Sequence, residues 1–402
     1  MPIYPLSNVR VIEVGHYGAA PYCGMQLGDL GAEVIKIENP DGGDLVRRMG
    51  PFIDGEGSLF QHINRNKRSL ALDLKSPEGI DIFKRLISGA DIVIENLRPG
   101  NMSKLGLDYE TVLQVLNKQL IYVAISGWGQ DGPLSQFAGL DIMAQARSGM
   151  MSITGEPGGN PVKVGVPICD LLTGIYGALA AVAALSARRE TGRGQFIDVC
   201  LFEAAVSVSV WEAAKYFVTG EIPQPMGSVH QAMAPYQAFR SSDGWLTIGA
   251  PSPTTWSAFC RVLHLEQIEH DERYTDTDAR YLNRGSLIPT IEAVTKTQGN
   301  DYWLELLQVA GVPCAPVQDY GQVYNDPHLQ ARGYFWNVLS PKLGPIRQLG
   351  SPMRFSETKV RTNKAAPLLG EDSADVLQEL GYSETVISSL DERSVIRLKA
   401  GS

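Results

Sequence analysis

From Met1 to Gln130, short apolar runs rich in β-branched residues alternate with amphipathic stretches whose apolar positions return every three or four residues. The first pattern marks buried strands and the second marks helices with one face on a core. It predicts strands over Val9–Val14, Glu33–Glu38, Ser69–Leu74, Asp91–Glu95 and Leu120–Ser126, with helices near Tyr22–Leu30, Pro77–Ile87 and Tyr109–Leu116. Strands separated by helices form βαβ units, so the chain predicts an α/β fold whose large Rossmann-like domain holds a doubly wound parallel sheet. Ligands bind such sheets beyond the carboxyl ends of the strands, where the loops Gly15–Pro21 and Glu95–Gly100 lie.

Further along, the uncharged, Ala- and Gly-rich run Leu171–Ala187 reads as a tightly packed interior helix, with Asp170 in its first turn. Backbone N–H groups and the helix dipole there would favour the ionised acid. Two roles follow: Asp170 caps its helix, or it attacks an electrophile. A turn at Gly192–Gln195 leads to a strand, Phe196–Val199, and a second long helix from Phe202. Prolines and glycines between Gly220 and Gly227 mark a break. The expected organisation is a first part of the large domain over 1–220, a smaller α/β domain over 225–315 with strands near Ala238–Phe239 and Trp245–Gly249, and a return over 316–402 that ends in a capped helix near Ser373–Leu380.

Composition narrows the class. The 402 residues are 44% hydrophobic and 20% charged, as in a folded globular chain. A net charge of −9 leaves no basic stripe for a phosphate backbone, so no nucleic-acid partner is expected. Cys23, Cys169, Cys200, Cys260 and Cys314 are odd in number and lack a C-x-x-C pair, which predicts free thiols in a cytoplasmic protein without zinc or another metal. The start Met1–Leu6 lacks the features of a signal peptide. Gly174, Tyr176 and Gly177 make the Leu171–Ala187 run weakly hydrophobic, so no membrane association is expected.

Several chemistries lose support from spacing. Gly15, Gly18 and Gly24 do not form G-x-G-x-x-G, although Glu38 ends the second strand as in nicotinamide-binding units. No Walker or H-E-x-x-H motif is present, and Ala124 stands where G-x-S-x-G needs its first glycine. The cations Lys36, Arg65, Lys67, Arg68, Lys75, Arg98 and Lys104 accompany the expected ligand edge; they either hold phosphates or are solvated. His16 has no carboxylate or serine partner visible in the sequence. Apolar neighbours would disfavour a Cys169 thiolate, which leaves packing as its role.

The stretches Asn64–Lys75, Glu95–Gly100, Gly139–Gln145, Thr191–Gln195, Gly311–Val317, Asp326–Pro327 and Ala366–Glu371 closely resemble the class III coenzyme A transferases, the family of formyl-CoA transferase and carnitine CoA-transferase. The likeness spans nearly the whole chain. It implies that Asp170 is a nucleophile that passes through an aspartyl-acyl anhydride and an aspartyl-CoA thioester. Coenzyme A would lie along the strand-end loops, with Tyr17, Gly18 and Ala19 near its thioester end. Matching positions for the rest are Asn39, Leu72, Asp73, Leu74, Lys75, Asn96, Leu97, Arg98, Lys104, Leu105, Phe137, Ala138, Gly139 and Leu140. Asn39 and Lys104 stand where formyl-CoA transferase has arginine, and Asn39 cannot replace an arginine fork.

Other departures bear on the reaction. The related racemases carry a histidine where this chain has Leu140, so a 2-methylacyl-CoA racemase would lack its second proton-transfer group. The glutamine that formyl-CoA transferase places in its first loop is Gly18 here, and its glycine-rich lid is not found near Gly227–Gln231. Expectation therefore falls on CoA transfer from an acyl-CoA donor such as succinyl-CoA to a carboxylic acid acceptor such as a dicarboxylate. His16, His230 and Gln231 are candidates for the acceptor side, and the resemblance implies an interlocked homodimer. The alternatives are the racemase and a CoA-binding protein without turnover.

Overall fold

The computed structural model describes residues 3–362 and 364–399, which divide into two compact units: Met1–Met151 with Lys163–Gly220 and His328–Ser402, and Ser152–Val162 with Glu221–Pro327. The block expected over 225–315 lies inside the second unit. Residues 316–327 also belong there, as does the short excursion Ser152–Val162.

A seven-stranded sheet organises the first unit. Across it run Ile396–Arg397, Lys67–Leu72, Glu33–Glu38, Arg10–Val14, Ile92–Glu95, Ile121–Ser126 and Phe196–Cys200. Six strands are parallel, and Ile396–Arg397 joins antiparallel at the edge beside Lys67–Leu72. The strand order reverses between Arg10–Val14 and Ile92–Glu95, which puts the switch point of a doubly wound sheet at the loops beginning Gly15 and Asn96. Side-chain alternation feeds two cores. Ile12, Ile35, Leu70 and Val93 pack on one face with Phe83 and Leu86 of the helix Pro77–Ser88. Val11, Val34, Ile94 and Val123 pack on the other with Cys23 and Leu27 of the helix Ala19–Asp29 and Ala178 and Ala181 of the helix Ile168–Thr191.

The helix Ile168–Thr191 is not the wholly interior element that its composition predicts. Its small residues, including Gly174, Gly177, Ala178 and Ala181, are buried, whereas Ile175, Tyr176, Leu179 and Val182 face outward. It is long and apolar enough to cross a membrane, but it is packed along one side as a core helix is. The third strand begins at Lys67, two residues before its expected start, because a charged residue that looks like loop is here a fully buried strand position.

The second unit has a three-stranded antiparallel sheet with Trp245–Gly249 between Tyr236–Arg240 and Cys314–Pro316. Phe239, Trp256, Phe259, Leu287 and Trp303 form its core. Arg280 is also buried there; its guanidinium donates to the carbonyls of Ala234, Pro251 and Tyr274.

A fully buried charge cluster sits under the Gly15–Pro21 loop. Glu13 holds Lys36 through Oε1 and Lys67 through Oε2, each at 2.7 Å. Lys36 also donates to the Gly15 carbonyl at 2.6 Å and pairs with Asp44 at 2.9 Å, while Lys67 donates to the Pro21 carbonyl at 2.7 Å and to Asn64 Oδ1 at 2.8 Å. The two lysines thus grip both ends of one loop. Burial opposes the charge on Lys36, but Glu13 and Asp44 outweigh it and raise its pKa. At Lys67 burial prevails over Glu13, with Lys36 adding to it, and the pKa falls to about 8. Gly24 makes room for the cluster, since a Cβ there would lie 2.0 Å from Glu13 Oε2.

Glu13→Gln would leave two buried cations short of a counter-charge and should lower stability by about 3–5 kcal/mol. Gly24→Ala should cost about 2–4 kcal/mol by forcing the carboxylate off its lysines. Urea unfolding curves check both, and a loss under about 1 kcal/mol for each would show that the cluster contributes little.

Candidate active site

The Gly15–Pro21 loop is built for close approach. Asn96 fastens it from the neighbouring strand end: its Nδ2 donates to the His16 carbonyl at 2.8 Å, and its Oδ1 accepts the His16 N–H at 3.1 Å. Tyr17 adopts a positive φ of 65° and donates its N–H to Asp44 Oδ1 at 3.2 Å. The next residue, Gly18, abuts Asp170. A Cβ on Gly18 would lie 2.6 Å from Asp170 Oδ2, so the carboxylate occupies space that only glycine leaves open.

Asp170 does not cap its helix. The cap is Asp141, whose Oδ1 accepts the N–H groups of Cys169 at 2.8 Å and Asp170 at 3.3 Å. Gln145 holds Asp141 in turn, donating from Nε2 to Asp141 Oδ2 at 2.6 Å and accepting the Val164 N–H through Oε1 at 2.8 Å. Among the described residues, no group donates a hydrogen bond to the Asp170 carboxylate. Burial and then the negative charge of Asp141 raise its pKa to about 6. This reverses the expectation that the helix terminus favours the ion, because another carboxylate already occupies the first N–H groups. Cys169 is buried, and burial, Asp141 and Asp170 push its thiol up to about 12, so it is inert.

Beside the loop, a cleft of about 330 Å³ runs along the strand ends. Asn39, Leu72, Asp73, Leu74, Lys75, Leu97 and Leu105 line it, and so does His16. Burial lowers the His16 pKa, with Asp44 opposing and Lys36 adding to the fall, which keeps the ring neutral. Glu38, the acid that ends the second strand, lines the cleft as well, and so does Asp44, which no motif marks. Neither is free for a ribose. Glu38 accepts two bonds at 2.8 Å from Arg47 and one at 2.7 Å from Ser69, which removes the carboxylate that a nicotinamide-binding reading needs.

The other expected residues lie around this cleft rather than along it. Ala19 is buried at the start of the helix Ala19–Asp29. Arg98 and Lys104 are exposed near the rim, Lys104 reaching Asn101 at 3.4 Å. Phe137, Ala138, Gly139 and Leu140 form the approach to the helix Asp141–Arg147; Trp128 donates to the Ala138 carbonyl, and Phe137 and Leu140 present exposed apolar side chains. His230 and Gln231 belong to the second unit, where the His230 ring packs 4.9 Å from that of Tyr236.

The cation series separates. Lys36 and Lys67 are the loop clamps, Arg65 pairs with Asp29 at 2.6 Å, and Arg68 pairs with Glu33 and Glu379. All four are engaged by carboxylates of the same chain. Lys75, Arg98 and Lys104 are the members of the series left exposed. Among the described residues no group of His, Cys, Asp and Glu could hold a metal ion.

The sequence profile of CoA-transferase family III matches residues 6–373. The chain belongs to CoA-transferase family III. It is 39% identical to a succinate–glutarate CoA-transferase of Agrobacterium fabrum over 383 residues, covering 94% of this chain and 96% of that one. It is 36% identical to the human succinyl-CoA:glutarate CoA-transferase over 396 residues, covering 98% and 90%. A crystal structure of a CaiB/BaiF family protein from Brucella suis superposes with a TM-score of 0.85 at 37% identity, covering 94% of this chain and 99% of that one. The enzyme is therefore a CoA-transferase, and its substrates are CoA thioesters.

Two opposite effects are expected of Asp170→Asn. Transfer should fall by at least about 10⁴-fold, the scale for removing a nucleophile. Stability should rise above pH 6, because a carboxylate whose folded pKa is raised binds its proton more tightly when folded, so its ionisation costs stability as pH climbs through about 6. Thermal melts should show the variant ahead at neutral pH and level with the wild type near about pH 4. Wild-type kcat/KM should rise with pH through about 6 and stay level above it, while a profile flat down to about pH 4 would remove Asp170 as the reacting base form.

Proposed function

We propose that the enzyme transfers CoA from succinyl-CoA to a short dicarboxylate, with glutarate the leading acceptor, by covalent catalysis at Asp170. The observation that carries the mechanism is the unpartnered carboxylate seated against Gly18 at the switch point of the sheet. The relatives named for succinate and glutarate supply the substrate pair.

In the first step an Asp170 oxygen attacks the thioester carbonyl, the C–S bond breaks, and CoA leaves as thiolate. The thiolate then attacks the Asp170 acyl carbon of the mixed anhydride, which releases succinate and leaves an aspartyl-CoA thioester. The acceptor carboxylate attacks that thioester, and the returning thiolate takes the acceptor's acyl group and frees Asp170. No ATP is consumed, because each step exchanges one activated acyl group for another. The N–H groups of Cys169 and Asp170 are committed to Asp141, so oxyanion stabilisation falls to the first turn of the helix Ala19–Asp29, which begins beside the nucleophile. Tyr17, Gly18 and Ala19 flank the thioester; the 330 Å³ cleft takes the nucleotide side of CoA.

A homodimer accounts for the outward face of the helix Ile168–Thr191. Leu179 is 61% exposed, and Phe217 and Val218 on the helix Val210–Thr219 are 82% and 85% exposed, apolar side chains that a partner chain would cover. Interlocking of the two chains is the arrangement implied by the family. Five free thiols, four of them buried, fit a reducing compartment such as the cytoplasm.

Succinyl-, acetyl- and formyl-CoA should be offered with a panel of carboxylic acids and the product thioesters read by mass; glutaryl-CoA should dominate with the succinyl donor. Borohydride or hydroxylamine added during turnover should modify the peptide containing Asp170, and an unmodified peptide under full turnover would exclude the anhydride. Sedimentation should report a dimer that Leu179→Asp weakens; a wild-type monomer would exclude the assembly.

A further inference from the structure

A second cleft, of about 510 Å³, shares Asn39, Asp73 and Lys75 with the first and continues to Ser394, Ile396 and Arg397. The sulfur end of a CoA thioester must reach Asp170 beside Gly18. A ligand running from there past His16 to Asn39 and Lys75 therefore carries its adenosine end into this second cleft. That end bears a 3′-phosphate, and Asn39 brings no charge to it.

We infer that Arg397, on the C-terminal edge strand, binds the 3′-phosphate of coenzyme A and with Lys75 selects CoA over its dephosphorylated form. The strand register fixes the side chain. Ile396 pairs with Leu72 and is buried, so the following residue turns outward opposite Ala71. Arg397 makes one long contact, from Nη1 to the Pro40 carbonyl at 3.4 Å, which leaves the rest of its fork available for a bidentate anion. Three carboxylates also line the cleft: Asp73 Oδ1 accepts the Lys75 N–H and Asp391 Oδ1 accepts the Leu398 N–H, while Asp41 is fully exposed to solvent, where its charge is screened. Arg397 also lies outside residues 6–373, so the family match says nothing about it.

The inference rests on the CoA-transferase reading of the site, and the test separates the two. Initial rates are measured with succinyl-CoA and with succinyl-3′-dephospho-CoA for the wild type, Arg397→Ala and Arg397→Lys. Loss of one charge-assisted phosphate contact predicts a KM for succinyl-CoA about tenfold higher in Arg397→Ala, with the dephospho donor unaffected and Arg397→Lys in between. An equal change with both donors, a wild type that does not distinguish them, or no change with either would overturn the assignment. Unchanged use of the dephospho donor also shows that the variant is folded. Absence of transfer by the wild type would count against the parent reading alone, because calorimetric binding of CoA and 3′-dephospho-CoA to the same proteins still reads Arg397.

Discussion

Glu13 is the residue on which the site's geometry depends. It is buried in the strand leading into the switch-point loop, and one carboxylate oxygen holds each of two lysines whose remaining bonds go to the two ends of that loop. Buried ion pairs seldom add net stability over apolar packing, so their use here calls for a geometric reason. Hydrogen bonds from Lys36 and Lys67 to the Gly15 and Pro21 carbonyls fix where Gly18 lies, and Gly18 in turn sets the space around Asp170. Apolar residues of equal volume would fill the core and leave the loop backbone without donors.

The Asp170 carboxylate, the nucleophile of the proposed mechanism, is tuned by what it lacks. An aspartate at a helix start ordinarily gathers N–H bonds, which lower its pKa and blunt its oxygens. Here Asp141 accepts those bonds from outside the helix and adds its own negative field, and Gln145 ties Asp141 to the segment preceding the helix. The helix is capped, and among the described residues none donates a hydrogen bond to the Asp170 carboxylate. An anion whose pKa sits near 6 is still ionised at neutral pH but is more basic than a solvated aspartate, which suits attack on a thioester.

The parallel strands were legible because each is a short run rich in β-branched and apolar residues, and Asp170 stood out as a charge set against an uncharged stretch. What escaped were interactions between residues distant in sequence. Lys36 and Lys67 have the same composition signal as ligand-binding cations, and only the fold shows Glu13 between them. Asp141 lay inside a motif that marked the family, but nothing local revealed that it would cap a helix starting at Ile168. The edge strand Ile396–Arg397 has two residues, too few for any period, and exists through its pairing with Leu72 and Ala71. The outward face of Ile168–Thr191 went unseen because a helix apolar all round gives the same pattern whether its second face meets its own chain or another.

In the proposed binding mode the two ends of the substrate meet opposite environments, and the sheet explains why one fold can supply both. At the Asp170 end the backbone of Gly18 presses on the carboxylate, and burial raises its pKa to about 6. Toward Lys75 and Arg397 the cleft opens, and two long, exposed cations stand there among the carboxylates of Asp41, Asp73 and Asp391. One edge of the sheet carries both: the central strands Arg10–Val14 and Ile92–Glu95 lead into the small-residue loops, Lys67–Leu72 leads to Lys75, and the antiparallel edge strand Ile396–Arg397 beside it supplies Arg397. A carrier as long as CoA can then be held by its nucleotide where electrostatic attraction is inexpensive, while the thioester is presented where the same charges would interfere with the reaction.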